Sequence, residues 1–139
     1  MKSHVIIDEN VVIFASSSFN RKAINCANKI LEIIRSPEKL ILFPDLCGRY
    51  LKKASKPKLL NFPALLNQLI RNSTKVEWIQ EPPDFNLPHE NQITDDMDKA
   101  IVKIAVIKRA KIITCDEKLI DIINEKNLDV EVENPCINT

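Results

Sequence analysis

Apolar positions along this chain come in two rhythms. Val5-Ile6-Ile7, Leu40-Ile41-Leu42-Phe43, Val76 to Ile79, Ile112-Ile113 leading into Thr114, and Val130-Glu131-Val132 are short runs of strand length. Between them, Ala23, Ile24, Ala27, Ile30, Leu31 and Ile34 recur at three- and four-residue spacing, as do Met97, Ile101, Ile104, Ala105 and Ile107. That spacing is the period of a helix with one apolar face.

The spacing predicts a first strand that resumes as Val11 to Phe14 after the Asp8-Glu9-Asn10 interruption. Ser16, Ser17 and Ser18 offer an N-cap for the next helix, and Ser36-Pro37 ends it. Pro44-Asp45 opens a helix to about Ala54, and another lies near Leu65 to Arg71. Glu81 to Gln92, with Pro82, Pro83 and Pro88, reads as a loop. Thr94-Asp95-Asp96 caps the helix of Met97 to Ile107, and Glu117 to Glu125 forms the last one.

Strands alternate with helices, and the strand runs are mostly continuous rather than alternating in and out. Strands buried on both faces have that composition, so the expected fold is α/β, a three-layer α/β/α arrangement around a central parallel sheet. The 139 residues suit a single domain, residues 1–139, without repeats.

Composition narrows the chemistry. Gly48 is the only glycine, which excludes the Gly-rich phosphate loops of nucleotide-binding folds. The formal net charge of +1 gives no global field for polyanions. A local one remains, because Arg49, Lys52, Lys53, Lys56 and Lys58 occur with no acid among them. They read either as a solvated helix face or as a phosphate-contacting patch. Cys26, Cys47, Cys115 and Cys136 are scattered without a CxxC pair, and are expected to be reduced, mostly structural thiols. Met1 to His4 leads straight into a strand, and no apolar run approaches a membrane span. The expectation is a cytoplasmic protein with no membrane partner.

Carboxylates recur where the strands end. Asp8 follows the first strand, Asp45 the second, and Asp116 the Ile112-Ile113-Thr114 strand, while Asp95, Asp96 and Asp98 open the helix that feeds it. In a parallel sheet, ligands bind beyond the carboxyl ends of the strands, so these acids are expected near one edge. Taken singly each is a helix cap or a turn residue. Gathered together they repel unless a hard divalent cation lies between them, and Mg²⁺ or Mn²⁺ prefers such oxygens. Metal-dependent phosphodiester hydrolysis is the chemistry such a group suggests.

HVIIDENVVIFAS and DKAIVKIAVIKRAKIITCDEKL, with Asp8 and Asn10 in the first and Asp98, Ala105, Thr114 and Asp116 in the second, resemble the two ends of the PIN domain family. That resemblance implies a Mg²⁺- or Mn²⁺-dependent endoribonuclease, as in the toxins of VapC-type toxin–antitoxin pairs and in RNA-processing nucleases. It implies Asp8, Asp98 and Asp116 as catalytic metal ligands, direct or through water. Thr114 would orient a neighbouring carboxylate and Asn10 would fix the first loop. RNA would run along Arg49, Lys52, Lys53 and Lys56, with Lys99 and Lys103 on a nearby helix stripe. A small protein antitoxin, its tail inserting an Arg among the acids, and a homodimer are the other implied partners.

The chain departs from the family in the middle. The glutamate usual in the helix after the second strand is missing, and its register falls on Arg49 or Tyr50. Asp45, Asp95 or Glu9 would have to substitute. The alternative is a PIN-like domain with little or no activity that binds RNA or protein. A phosphotransfer receiver also carries acids at strand ends, but the Val76–Ile79 run ends in Gln80-Glu81 without the aspartate such a domain phosphorylates.

Overall fold

A computed structural model describes residues 3–17, 19–53 and 59–136. Its elements follow one another as β1 (His4–Ile7), α1 (Glu9–Ser17), α2 (Arg21–Arg35), β2 (Lys39–Leu42), α3 (Pro44–Lys53), α4 (Phe62–Leu69), β3 (Val76–Trp78), α5 (Asp96–Lys108), β4 (Lys111–Ile113), α6 (Glu117–Glu125) and β5 (Val132–Glu133). The expected class is the observed one: five parallel strands in the order β3-β2-β1-β4-β5, flanked by helices in a three-layer α/β/α arrangement.

Val5, Ile6, Ile7, Leu40, Ile41, Leu42, Ile112 and Ile113 are all buried, as strands covered on both faces must be. α5 lies over β1 and β4, and α1 packs on α2 and α3. No helix among the described residues is long and apolar enough to cross a membrane.

Four expectations need correction. Val11 to Phe14 does not resume the first strand but belongs to α1. Val11, Val12, Ala15 and Ser16 are buried at helical spacing, and packing on α2 and α3 overrides the strand preference of a β-branched run. The cap of α2 is not a serine: Asn20 accepts the Ala23 amide at 2.8 Å, Ser16 and Ser17 lie inside α1, and Ser18 lies outside the described residues. The helix placed near Leu65 to Arg71 runs from Phe62 to Leu69, started by Asn61, whose side chain accepts from the Ala64 amide. The last strand is Val132–Glu133 rather than Val130 to Val132, paired in register with Ile112 and Ile113.

The topology locates a crevice. β1 is followed by β2 and β3 on one side, and the chain then crosses back to place β4 on the other. The strand order reverses between β1 and β4, and in open parallel sheets such a reversal opens a binding crevice at the carboxyl ends of the strands.

Candidate functional site

Register builds the site. Ile7 pairs with Ile113, so the next residues, Asp8 and Thr114, leave the sheet side by side. The Asp8 amide still donates to the Ile113 carbonyl at 2.8 Å, and the Thr114 hydroxyl donates to Asp8 Oδ2 at 2.7 Å. Both residues are buried. Thr114 Oγ1 also accepts the Asp116 amide at 3.0 Å and Asn10 Nδ2 at 3.4 Å, while Asn10 Oδ1 accepts the Cys115 amide at 3.2 Å. A buried hydroxyl thus ties one acid to the tips of two strands, as expected of Thr114. Asn10 ties the start of α1 to the tip of β4.

Asp116 and Asp98 complete the group from two helix starts. Asp116 caps α6 by accepting the Leu119 amide at 3.2 Å. Asp98 lies in the first turn of α5 and shares with Asp116 the wall of a narrow pocket that Gln92, Thr94 and Lys118 also line.

Electrostatics shows that these acids feel one another. Burial raises the Asp8 carboxyl to about 6, with Glu9 and Asp116 adding to the rise and the Thr114 hydrogen bond opposing it. Asp98 is raised to about 7, first by burial and then by the charges of Asp8, Asp95, Asp116 and Glu9.

The remaining acids divide. Asp95 caps α5, its Oδ1 accepting the Met97 and Asp98 amides at 2.7 and 3.2 Å, and its Oδ2 lies 3.6 Å from Arg49. Its oxygens are therefore already engaged. Asp45 is exposed and lines a separate cleft of about 610 Å³ with Gly48, Arg49, Lys52 and Asp96. Glu9 pairs through Oε1 with Arg49 at 2.7 Å, while its Oε2 is buried without a partner. Such an orphaned oxygen is costly unless a proton or cation satisfies it.

The register where the resemblance would place a glutamate carries other contacts. Arg49 reaches Glu9 and Asp95. Tyr50 is buried, its ring edge-on to Phe62 and its hydroxyl donating to the Ile7 carbonyl just before Asp8. Tyr50 as a prop under β1 was not foreseen, although Phe43, Leu46, Cys47 and Tyr50 have the spacing of a buried helix face.

The basic residues are only partly gathered. Arg49 and Lys52 line the 610 Å³ cleft, and Lys99 lies 3.8 Å from Asp96. Lys103 pairs with Glu90 at 3.1 Å and so pins the Glu81–Gln92 loop to α5. Lys53 ends α3, and Lys56 lies outside the described residues.

Among the described residues, no three carboxylates bring oxygens within 4.8 Å of one another. Asp8, Asp98 and Asp116 therefore do not close into a cage, and a hard cation among them would have to take most of its ligands from water. The group that does close to 4.8 Å is made of thiols: Cys26, Cys115 and Cys136. Cys115 and Cys136 are joined as a disulfide, which corrects the expectation of reduced thiols for these two, while Cys26 and Cys47 are free and buried.

No protein-family model matches the chain, and a search of curated proteins likewise finds no match.

Proposed function

We propose that this chain is a PIN-like, metal-dependent endoribonuclease, with Asp8, Asp98 and Asp116 holding Mg²⁺ or Mn²⁺ directly or through water. What supports the reading is that Asp8 and Asp116 follow the adjacent strands β1 and β4 and that Asp98, raised first by burial, also feels the charge of both. When bound there, such a cation polarises a phosphodiester and makes a bound water a better nucleophile.

The chain's own groups do the positioning. Thr114 and Asn10 fix Asp8 and the β4 tip, and Asp116 is oriented by its place at the head of α6. RNA would cross the cleft beside them, its phosphates met by Arg49, Lys52 and Lys99. Phosphate contacts of this kind weaken steeply with added salt. A cytoplasmic location, a small protein antitoxin that covers the acids, and a homodimer belong to this reading.

One observation favours a second reading. Arg49 stands in the register of the family's glutamate and already neutralises Glu9. A domain so altered would bind RNA or protein and cleave little.

The two readings separate in one assay, with Mn²⁺ and mixed-sequence RNA given to wild-type protein and to Asp8→Asn and Asp116→Asn. The nuclease reading expects cleavage by wild type that falls to background in both variants while RNA binding persists. Binding without cleavage in all three selects the second reading. Neither binding nor cleavage overturns RNA as the substrate.

A further inference from the structure

Three sulfurs that the sequence scatters meet in one place. Cys26 sits on the buried face of α2, Cys115 at the tip of β4 and Cys136 just after β5. Cys26 Sγ lies 3.4 Å from Cys136 Sγ and 3.6 Å from Cys115 Sγ, although the first pair is 110 residues apart and the second 89. Sequence spacing could not reveal such a group, because each cysteine comes from a different element.

With the Cys115–Cys136 bond opened, the two Cys26 separations are already close to those of sulfurs on a shared metal. Zinc bonds of about 2.3 Å to sulfur place two tetrahedral ligands roughly 3.8 Å apart, close to both Cys26 distances. Cys26 is almost equidistant from the two disulfide sulfurs, so it lies beside their bond and off its extension. Attack on a disulfide proceeds along that extension, so the geometry suits shared coordination better than exchange.

The surroundings agree. A cavity of about 420 Å³ lined by Lys22, Cys115, Asp116, Glu117, Asn134 and Cys136 reaches two of the sulfurs, leaving room for water as a fourth ligand. Three thiolates on Zn²⁺ leave one excess negative charge. Burial pushes the Cys26 thiol up to about 11, partly offset by the charge of Lys22, one helical turn before it and 3.8 Å above the Phe14 ring, so a bound cation has to supply the rest of the charge that holds the thiolate.

We infer that Cys26, Cys115 and Cys136, once reduced, form a thiolate site for Zn²⁺ that is distinct from the carboxylate group and competes with the Cys115–Cys136 disulfide. A dithiol reductant supplies two electrons and two protons to open that disulfide and is itself oxidised to a disulfide. Zn²⁺ then forms three S–Zn bonds as three thiol protons leave to solvent. The soft ligand set selects Zn²⁺ over the hard cations that suit the acids.

The test is Zn²⁺ titration of the full chain under anaerobic conditions, after reduction, against a chromogenic chelator, with Co²⁺ as a spectroscopic probe. Reduced wild type should take up one equivalent, and its Co²⁺ form should show near-ultraviolet sulfur-to-metal charge transfer. Cys26→Ser and Cys136→Ser should each lose the tight phase and the band. Cys136 is only half-buried near the end of the described chain, so its variant guards against a core defect at Cys26. The disulfide form should bind no Zn²⁺ tightly, and Asp8→Asn should bind as wild type does. The inference is overturned by no uptake in reduced wild type, by undiminished uptake in a folded cysteine variant, or by loss of uptake in Asp8→Asn. None of these outcomes depends on RNA cleavage.

Discussion

Asp8 illustrates how burying a single carboxyl costs stability once it ionises. Its carboxyl rises from 3.8 to about 6 because burial disfavours its charge more than Thr114 favours it. The unfolded chain releases this proton first as pH rises, so the native state is the one holding it. Stability from this group is therefore full below about pH 4, falls as pH climbs towards 6, and is flat above. A shift of this size amounts to on the order of 3 kcal/mol. Asp8→Asn should remove that decline and make the cation-free protein more stable at pH 8, as urea unfolding at pH 4.5 and 8 would show. Equal slopes in the two proteins would contradict the burial argument. Thr114→Val removes a hydroxyl with three partners but keeps the side-chain shape. It should cost about 1–3 kcal/mol in the same unfolding assay, and a neutral result would mean that the hydroxyl does not hold the strand tips. The placement of Asp8, Thr114 and Asp116 beyond β1 and β4 was legible because strand ends are readable, whereas Asn10 was singled out only by the resemblance. The engagement of Arg49 with Glu9 was not legible, since it joins α3 to α1 through side-chain reach that no local pattern encodes.

At the scale of elements, helix ends and strand registers decide where these residues point. Lys75 is an example outside the site. Its amine, buried just before β3, donates to the carbonyls of Ile33, Ser36 and Glu38, closing the end of α2 and the turn into β2. A cation at a helix C-terminus satisfies orphaned carbonyls and opposes the helix dipole. Lys75→Met keeps the apolar stem and leaves those carbonyls unpaired, with an expected loss of roughly 2 kcal/mol in thermal or urea unfolding. An unchanged midpoint would show that water replaces the amine without cost. Element types were largely legible, because apolar spacing separates buried strands from amphipathic helices. α1 was the exception: Val11, Val12 and Ile13 favour a strand locally, and only contact with α2 and α3 makes them helical. β5 shifted for a related reason, since its pairing with Ile112 and Ile113 sets its position rather than its own composition.

For the whole molecule, the order β3-β2-β1-β4-β5 turns acids from both ends of the chain into neighbours. Asp8 and Asp116 are separated by most of the sequence and meet because β1 and β4 are adjacent at the point where the strand order reverses. The same crossing brings Cys26 to Cys115, which no spacing rule anticipates. Whether the acids hold a cation is decided by calorimetric titration of Mn²⁺ into wild type and Asp8→Asn. Wild type should bind saturably, and Asp8→Asn should lose that binding. Near pH 6.5 the binding enthalpy should also change with the buffer, as protons leave carboxyls raised to about 6 and 7. Absence of binding in wild type, or identical isotherms for the two proteins, would contradict a cation site among these acids.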